Sequence, residues 1–232
     1  MTIKQNLAFA LAAVLAASPL LPGTAAEEKA KDAAAEEAAS NEPTPAQLKA
    51  RKAKKPSYTK FAEAKAVAER CNLPLFVAIL PDGDPAVAEL KQKVINHKAF
   101  LKDFAQKNCV VAFMKVKADG KDKKKIDTRG LKETDLKFLE NFAVSEHDIS
   151  EAKARGDDEP KYTDRKNFPV LVCVDAQCQK ELFRIKKYDK EGGFGVWLSQ
   201  VVDSFRSANI EPVVSPAVTK IIENPDDPKK WK

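Results

Sequence analysis

Residues 61–80, FAEAKAVAERCNLPLFVAIL, decide the fold because an amphipathic helix runs directly into a fully apolar strand. The apolar residues that recur at helical spacing are Phe61, Ala64, Val67 and Cys71. This spacing predicts a helix over residues 59–71, which Asn72 and Pro74 end. The continuous apolar run over residues 75–80 suits a strand covered on both faces, as in the parallel sheet of an α/β protein.

The alternation of helix and strand continues along the chain. Asp84-Pro85 is typical of a helix N-cap followed by proline at the first helical position. The later elements are two helical stretches up to residue 108, a strand at 109–116, a helix at 134–143, strands at 168–174 and 181–185, and a helix around 196–205. This order predicts an α/β domain in which a βαβ unit is followed by a hairpin and a covering helix.

The order and pattern of these elements resemble the thioredoxin-like superfamily over roughly residues 58–208. The resemblance is carried by FAEAKAVAERCNLPLFVAIL, LKQKVINHKAF, CVVAFMKV and NFPVLVCVDAQCQKELFRI. It implies a thioredoxin-like βαβ-ββα sandwich with an N-terminal helix. It also implies that Pro169, after Phe168, is the family's cis-proline beside the active site. Residues 145–167 then form a long, mostly polar insertion before the cis-proline strand.

The motif that gives this superfamily its redox activity is missing. Redox-active members carry Cys-x-x-Cys where the first strand meets the next helix, and there the helix N-terminus stabilises a thiolate. The matching positions here are Asp84 and Val87, within the segment PDGDPAV at 81–87, which contains no thiol. The resemblance therefore implies a member that lacks Cys-x-x-Cys, and ordinary dithiol catalysis is not expected at this position.

The four cysteines of the chain lie elsewhere. Cys71 ends the predicted helix at 59–71, and Cys109 opens the predicted strand at 109–116. The two strands at these cysteines are parallel neighbours in this topology, so either a disulfide or two buried thiols would fit. Cys173 and Cys178 flank the turn of a hairpin, where a structural disulfide, buried thiols and a reactive pair all stay open. A pair on a hairpin lacks the helix dipole that activates a thiolate, which argues against catalysis.

The N-terminal residues indicate export. Lys4 precedes an apolar run at residues 7–17, and small residues follow up to Ala26, which is typical of a cleavable signal peptide at 1–26. The run is shorter than the roughly 20 residues that a membrane-spanning helix needs. We therefore expect a periplasmic or secreted protein with cleavage near Ala26.

Charged or proline-rich segments flank the predicted thioredoxin-like domain at 58–209. Residues 27–57 are predicted to be a charged low-complexity linker, and the basic residues within 49–60 could make a weak contact with an anionic surface. Residues 210–232 are a proline-rich tail whose short apolar helix could pack on the domain or engage a partner. The basic stretch 115–132 contains no aromatic residue to stack on bases, so nucleic acid is not an expected partner.

Candidate binding residues lie around the predicted proline loop. The histidines, His97 and His147, are too few to indicate a metal site, and no phosphate-binding motif appears, so neither a metal nor a cofactor is expected. The long insertion leads directly into the proline loop, and long loops often carry function. The candidate binding surface consists of Asp82, Tyr162, Phe168 and Pro169.

Together these features favour an exported thioredoxin-like domain without dithiol catalysis. It would act as a binding or accessory module in the cell envelope, with an envelope protein as its partner. The alternative is a thiol-disulfide oxidoreductase that uses the non-standard pair Cys173/Cys178. A third interpretation is a purely structural envelope protein tethered by its basic segment. The missing motif argues against an enzyme.

Overall fold

A central sheet organises the chain in the computed structural model, which describes residues 42–185 and 193–231. Its strands are β1 (Leu75–Pro81), β2 (Val110–Ala118), β3 (Ile126–Asp127), β4 (Val170–Val174) and β5 (Glu181–Ile185). They lie in the order β3-β2-β1-β4-β5. β1 and β2 are parallel, whereas β4 runs antiparallel to both of its neighbours, β1 and β5, and β3 runs antiparallel to β2.

Helices cover both faces of this sheet. The α-helices are α1 (Pro45–Ala53), α2 (Phe61–Cys71), α3 (Pro85–Leu90), α4 (Glu133–Phe142), α5 (Glu146–Arg155), α6 (Gly193–Ser207) and α7 (Pro216–Glu223). Two π-helical segments, Lys91–Ile95 and Ala99–Ala105, continue from α3 and end in the short turn Gln106–Asn108. Short 3₁₀ turns occupy Arg165–Asn167 and Pro228–Trp231. Within the described ranges, no helix is long and apolar enough to cross a membrane.

The sheet separates two hydrophobic layers, because successive side chains of a strand point to opposite faces. All seven residues of β1 are buried. The first layer, here called the α6 layer, contains Phe76, Phe100, Phe104, Trp197, Val201 and Phe205. The second, here called the α2 layer, contains Leu75, Val77, Phe61, Phe138 and Leu139. The prediction of a strand covered on both faces is therefore confirmed.

The architecture is thioredoxin-like, as the sequence predicted. The parallel strands β1 and β2 are joined through α3 and the π-helical segments, and β4 and β5 form the antiparallel hairpin that α6 covers. Tyr58 adds a further parallel bridge to Ala112 at the outer edge of β2. The peptide bond between Phe168 and Pro169 is cis, as the resemblance implied. The predicted fold class is confirmed.

The C-terminal part of the predicted low-complexity linker is folded. The predicted signal peptide at 1–26 and the linker before residue 42 lie outside the described residues, but residues 45–53 form α1. The Thr44 hydroxyl accepts a hydrogen bond from the Gln47 N–H, and the Gln47 side chain accepts one from the Thr44 N–H at 2.8 Å. This reciprocal cap, with Pro45 at the first helical position, corrects the linker prediction for this stretch.

Lys54 ties α1 to the domain. Its side chain is buried, and Nζ donates hydrogen bonds to the carbonyl oxygens of Ala105 at 3.1 Å and Cys109 at 2.9 Å. The Gln106 side-chain amide donates back to the Lys54 carbonyl at 3.1 Å. Burial lowers the pKa of Lys54. This lysine therefore satisfies two carbonyls near the C-terminus of the π-helical segment, where a cation also meets the negative end of the helix dipole.

Other basic residues of the 49–60 block are engaged inside the domain too. The Arg51 guanidinium donates to the carbonyl oxygens of Cys71 at 2.9 Å and Asn72 at 3.1 Å. Lys55 forms an ion pair with Glu63 at 2.9 Å. A contact of this block with an anionic surface remains a proposal. Such a contact would be made by the exposed lysines of the block that have no partner within the described part of the domain, such as Lys52.

The C-terminal tail packs on the domain, which is one of the two possibilities that the sequence left open. The Asn108 side chain donates to the Val213 carbonyl at 2.9 Å and accepts from the Val213 N–H at 2.6 Å. Val218 and Ile221 of α7 are buried in the α6 layer. Residues 210–231 are thus part of the folded unit.

The long insertion at 145–167 is also ordered. The Ser145 hydroxyl accepts from the Asp148 N–H at 3.1 Å, and Gly156 ends α5 in the left-handed conformation with φ 73°. The following segment is held against the sheet because the Ile126 N–H donates to the Thr163 carbonyl at 2.8 Å. The insertion therefore consists of a capped helix, α5, and a following segment, residues 157–167, that is hydrogen-bonded to residues at the edge of the sheet.

Replacing Lys54 with alanine should lower the free energy of unfolding by about 2 kcal/mol, because two buried carbonyls lose their donor. Lys52→Ala, an exposed lysine of α1, is the matched control and should change stability by less than about 0.5 kcal/mol. Equilibrium urea denaturation measures both. An unchanged midpoint for Lys54→Ala would contradict the role assigned to this contact.

Candidate functional site

The end of β1 and the start of β4 meet at one edge of the sheet. Ile79 lies opposite Val170 in the antiparallel register, so the turn after Pro81 comes beside the cis bond before Pro169. The Asp82 N–H donates to the Val116 carbonyl at 2.8 Å, which extends the edge onto β2. The turn that holds Cys-x-x-Cys in redox-active superfamily members therefore has its expected place next to the proline.

Asp84 and Val87 occupy the positions of the missing motif. Asp84 is the N-cap of α3, and its Oδ1 accepts a hydrogen bond from the Ala86 N–H at 2.9 Å. Pro85 takes the first helical position, where the absence of its N–H leaves no bond unmade. Val87 is buried in the α6 layer. Both positions therefore serve the stability of the helix start, and neither offers a thiol.

The predicted binding surface is only partly a surface. Asp82 is exposed, with its carboxylate 3.8 Å from the Lys115 ammonium. Pro169 is half-buried, and Tyr162 is half-buried against the α2 layer. Phe168, in contrast, is buried within that layer. The inclusion of Phe168 in the surface is corrected, since its ring faces the core below the proline.

A groove of about 1120 Å³, lined in part by Pro169, lies between α5 and strands β4 and β5. Its apolar lining includes Leu171 and Ile185, and its charged lining includes Arg155 and Arg184. The sequence interpretation missed α5 and therefore missed this groove. The signal was present, because Ser-x-x-Asp at 145–148 and Gly156 mark the two ends of a helix.

Arg184 lines this groove and is held in place by hydrogen bonds. Its guanidinium donates to both carboxylate oxygens of Glu181, at 3.2 and 2.7 Å, and to the Phe142 carbonyl at 2.9 Å. The side chain is only 17% exposed, so these charge-assisted bonds are less screened than those of an exposed pair. Arg184 thereby joins β5 to the end of α4.

All four cysteines are free thiols. Cys71, Cys109 and Cys173 are buried, and Cys178 is half-buried. Burial raises the pKa of the Cys109 thiol and of the Cys178 thiol to about 12. Burial also raises the pKa of Cys71 and, more strongly, of Cys173. Since the thiolate is the reactive form, none of these environments activates a cysteine.

The cysteine pairs considered in the sequence are divided between the two sides of the sheet. Cys173 belongs to the α6 layer, whereas Cys178 packs against the α2 layer. Cys109 likewise belongs to the α6 layer and Cys71 to the α2 layer. Cys173 lies opposite Phe183 in the β4–β5 hairpin, not opposite Cys178, which has φ 58° in the turn. Cys173 and Cys178 therefore do not face each other across the hairpin.

The histidines have separate environments. The His97 ring stacks on Phe194 with centroids 3.8 Å apart, and burial lowers its pKa. His147 is exposed in α5 and lines the groove. In the described part of the chain, no group of three or more His, Cys, Asp or Glu residues could hold a metal ion.

Cys178 should react with iodoacetamide at pH 8 on the order of 10³-fold more slowly in the native chain than in urea, because a pKa of about 12 leaves little thiolate. Mass spectrometry of alkylated peptides measures the rate at each cysteine. The buried Cys173 is the internal control and should be slower still. Native labelling of Cys178 as fast as in urea would contradict a raised pKa and would show an ordinary, accessible thiol.

Comparisons with known proteins add one structural likeness. No protein-family model matches the chain, and no curated protein sequence matches it. A solved structure described as "DsbH Oxidoreductase" is similar to it, with 18% identical residues, a TM-score of 0.40, and coverage of 65% of this chain and 84% of the other. The thioredoxin-like fold itself follows from the strand order and the connections of this chain.

Proposed function

We propose that this chain is an exported thioredoxin-like domain that binds a protein partner in the cell envelope and does not carry out dithiol exchange. The observation that carries this proposal is the start of α3. There the Asp84 carboxylate bonds to the Ala86 N–H, and the second motif position is the buried Val87. The helix N-terminus that would lower a thiol pKa is thus used for a structural cap.

The environments of the thiols support the same proposal. A thiol-disulfide oxidoreductase needs one thiolate near neutral pH and a second thiol within reach. Here burial raises the pKa of the half-buried Cys178 to about 12, and Cys173 belongs to the opposite core layer. The oxidoreductase alternative that uses Cys173/Cys178 therefore lacks both requirements.

The groove beside Pro169 is the surface that we propose for the partner. It is concave, and it combines apolar residues of β4 and β5 with charged residues of α5 and of the segment 157–167 that follows it. A mixture of apolar and charged positions is usual in interfaces that form between separately folded proteins. The half-buried Tyr162 and the cis-proline lie on the segment that borders it.

Export belongs to this proposal as well. The pattern at residues 1–26 supports a cleavable signal peptide, and the absence of Cys-x-x-Cys leaves binding as the task of the exported domain. A structural envelope protein tethered by its basic segment is disfavoured, since Arg51, Lys54 and Lys55 of that segment have partners inside the domain.

The full chain should not reduce insulin with dithiothreitol above the uncatalysed rate. Asp84→Cys combined with Val87→Cys should gain measurable turnover, because the first cysteine would lie at a helix N-terminus beside the cis-proline. Asp84→Ser with Val87→Ser is the matched control and should stay inactive. Turnover of the wild-type chain that Cys178→Ser abolishes would refute the proposal and support the oxidoreductase alternative.

Charge reversal in the groove should abolish partner capture. Asp158 and Lys166 are exposed groove residues, so Asp158→Lys with Lys166→Glu alters the surface without touching the core. Affinity capture from an envelope extract, read by mass spectrometry, should recover a protein with the wild-type chain and not with this variant. Lys102→Glu with Glu211→Lys is the control with unchanged net charge. A partner that is retained equally by both variants would contradict binding at the groove.

A further inference from the structure

A second cavity, of about 230 Å³, lies where the starts of α2 and α4 approach the outer edge of β2. Its acidic lining residue is Asp135, and its basic lining residues are Lys60, Lys91, Lys115 and Lys132. These charges come from four separate elements of the fold. Their convergence on one small cavity leaves it with a net positive lining.

Most of these lysines are not neutralised by carboxylates. Lys115 lies 3.8 Å from Asp82, and Lys91 sits with Nζ 4.8 Å from the centroid of the Phe113 ring. Within residues 42–185 and 193–231, Lys60 and Lys132 form no ion pair; the charge of Lys60 contributes to lowering the pKa of Glu63, whose carboxylate is paired with Lys55. The cavity therefore keeps ammonium groups available for a bound anion.

The N-cap residues of the two helices that begin at this cavity are unfavourable for helix stability. Lys60 and Lys132 are the N-cap residues of α2 and α4, and neither helix has a side-chain cap. A cation at this end opposes the helix dipole. Residues with an accepting side-chain oxygen cap four other helices: Thr44, Asp84, Ser145 and Ser215. Two lysines that break a local rule beside the same cavity point to a role in binding.

The rest of the cavity is apolar. Phe61, Phe113 and Met114 line it, and each is at most 5% exposed. A ligand that fits this lining has an anionic group for the lysines and an apolar body for the aromatic side. A free inorganic anion would leave the apolar part of the lining without a contact.

We propose that this cavity binds a phosphate monoester. Its dianionic phosphate would lie between the ammonium groups of Lys60 and Lys132, and its apolar substituent would pack on Phe113 and Met114. Two or more separate ammonium groups match the charge of a dianion better than that of a carboxylate. The ligand is either a small soluble ester or the headgroup of a phospholipid that carries a terminal phosphate. The proposal is independent of partner binding at the groove.

Phenyl phosphate and inorganic phosphate are the probes. In ¹H–¹⁵N correlation spectra of the full chain at constant ionic strength, phenyl phosphate should shift the amides of residues 59–62 and 113–115 saturably. Inorganic phosphate should shift the same amides and bind more weakly, since it leaves the apolar lining unused. Shifts that are spread over exposed lysines without saturation would overturn the proposal.

Lys60→Asp with Lys132→Asp separates binding from folding. Both changes supply an N-cap acceptor, so the variant should have a higher thermal midpoint, and it should bind phenyl phosphate at least about tenfold more weakly. Lys121→Asp with Lys123→Asp makes the same change of net charge on an exposed loop that does not line the cavity. An equal loss of affinity in both variants would show a general charge effect and would refute the site.

Vesicles distinguish the two sources of the phosphate. Phosphatidic acid has a phosphate monoester headgroup, whereas phosphatidylglycerol carries the same kind of lipid body on a diester. Co-sedimentation with phosphatidylcholine vesicles that contain phosphatidic acid, reversed by phenyl phosphate, would identify a lipid headgroup as the ligand. Saturable binding of phenyl phosphate without co-sedimentation would identify a soluble ester. Equal co-sedimentation with both anionic lipids, unaffected by Lys60→Asp with Lys132→Asp, would contradict the proposal.

Discussion

The burial of β1 on both faces is the constraint on which the rest of the structure depends. A strand with seven buried residues needs a hydrophobic layer above and below it, and α2 with α4 supplies one while α6 and the π-helical segments supply the other. Because β1 is central, its C-terminal end is held next to β2 and next to the cis-proline of the antiparallel β4. The position of the edge where redox-active superfamily members carry their motif is therefore set by the pairing of β1 with β2 and β4, whichever residues occupy that edge.

This edge has the strand pairing and the cis-proline of the thioredoxin-like fold, but it has no thiol at positions 84 and 87. The Asp84 carboxylate caps the start of α3, and burial raises the pKa of the Cys178 thiol to about 12. The insertion that precedes the proline forms one wall of the groove beside it. The cavity lined by Lys60 and Lys132 lies elsewhere, where the starts of α2 and α4 approach β2. The two proposed sites share the sheet as their support but not their residues.

Sequence periodicity was enough to predict the central elements, since each depends on its own run of residues. The helix at 59–71 and the strand at 75–80 agree with α2 and β1 almost to the residue. Contacts between distant residues were not predictable in this way. Lys54 reaches carbonyls more than fifty positions away, so its burial, and with it the docking of α1, leaves no periodic signal. Short capped helices such as α1 and α5 also bury little surface and show weak periodicity.

The sequence by itself determined the α/β class, the order of the central elements, the place of the proline and the absence of Cys-x-x-Cys, because these are properties of local pattern and residue identity. Only the tertiary structure decided which side of the sheet each cysteine occupies. It also decided that Phe168 belongs to the core and that α1 and residues 210–231 pack on the domain. It alone brought four lysines from separate elements to one cavity. The physical reason is that burial, pairing and convergence depend on strand register and helix packing, which join residues far apart in the chain.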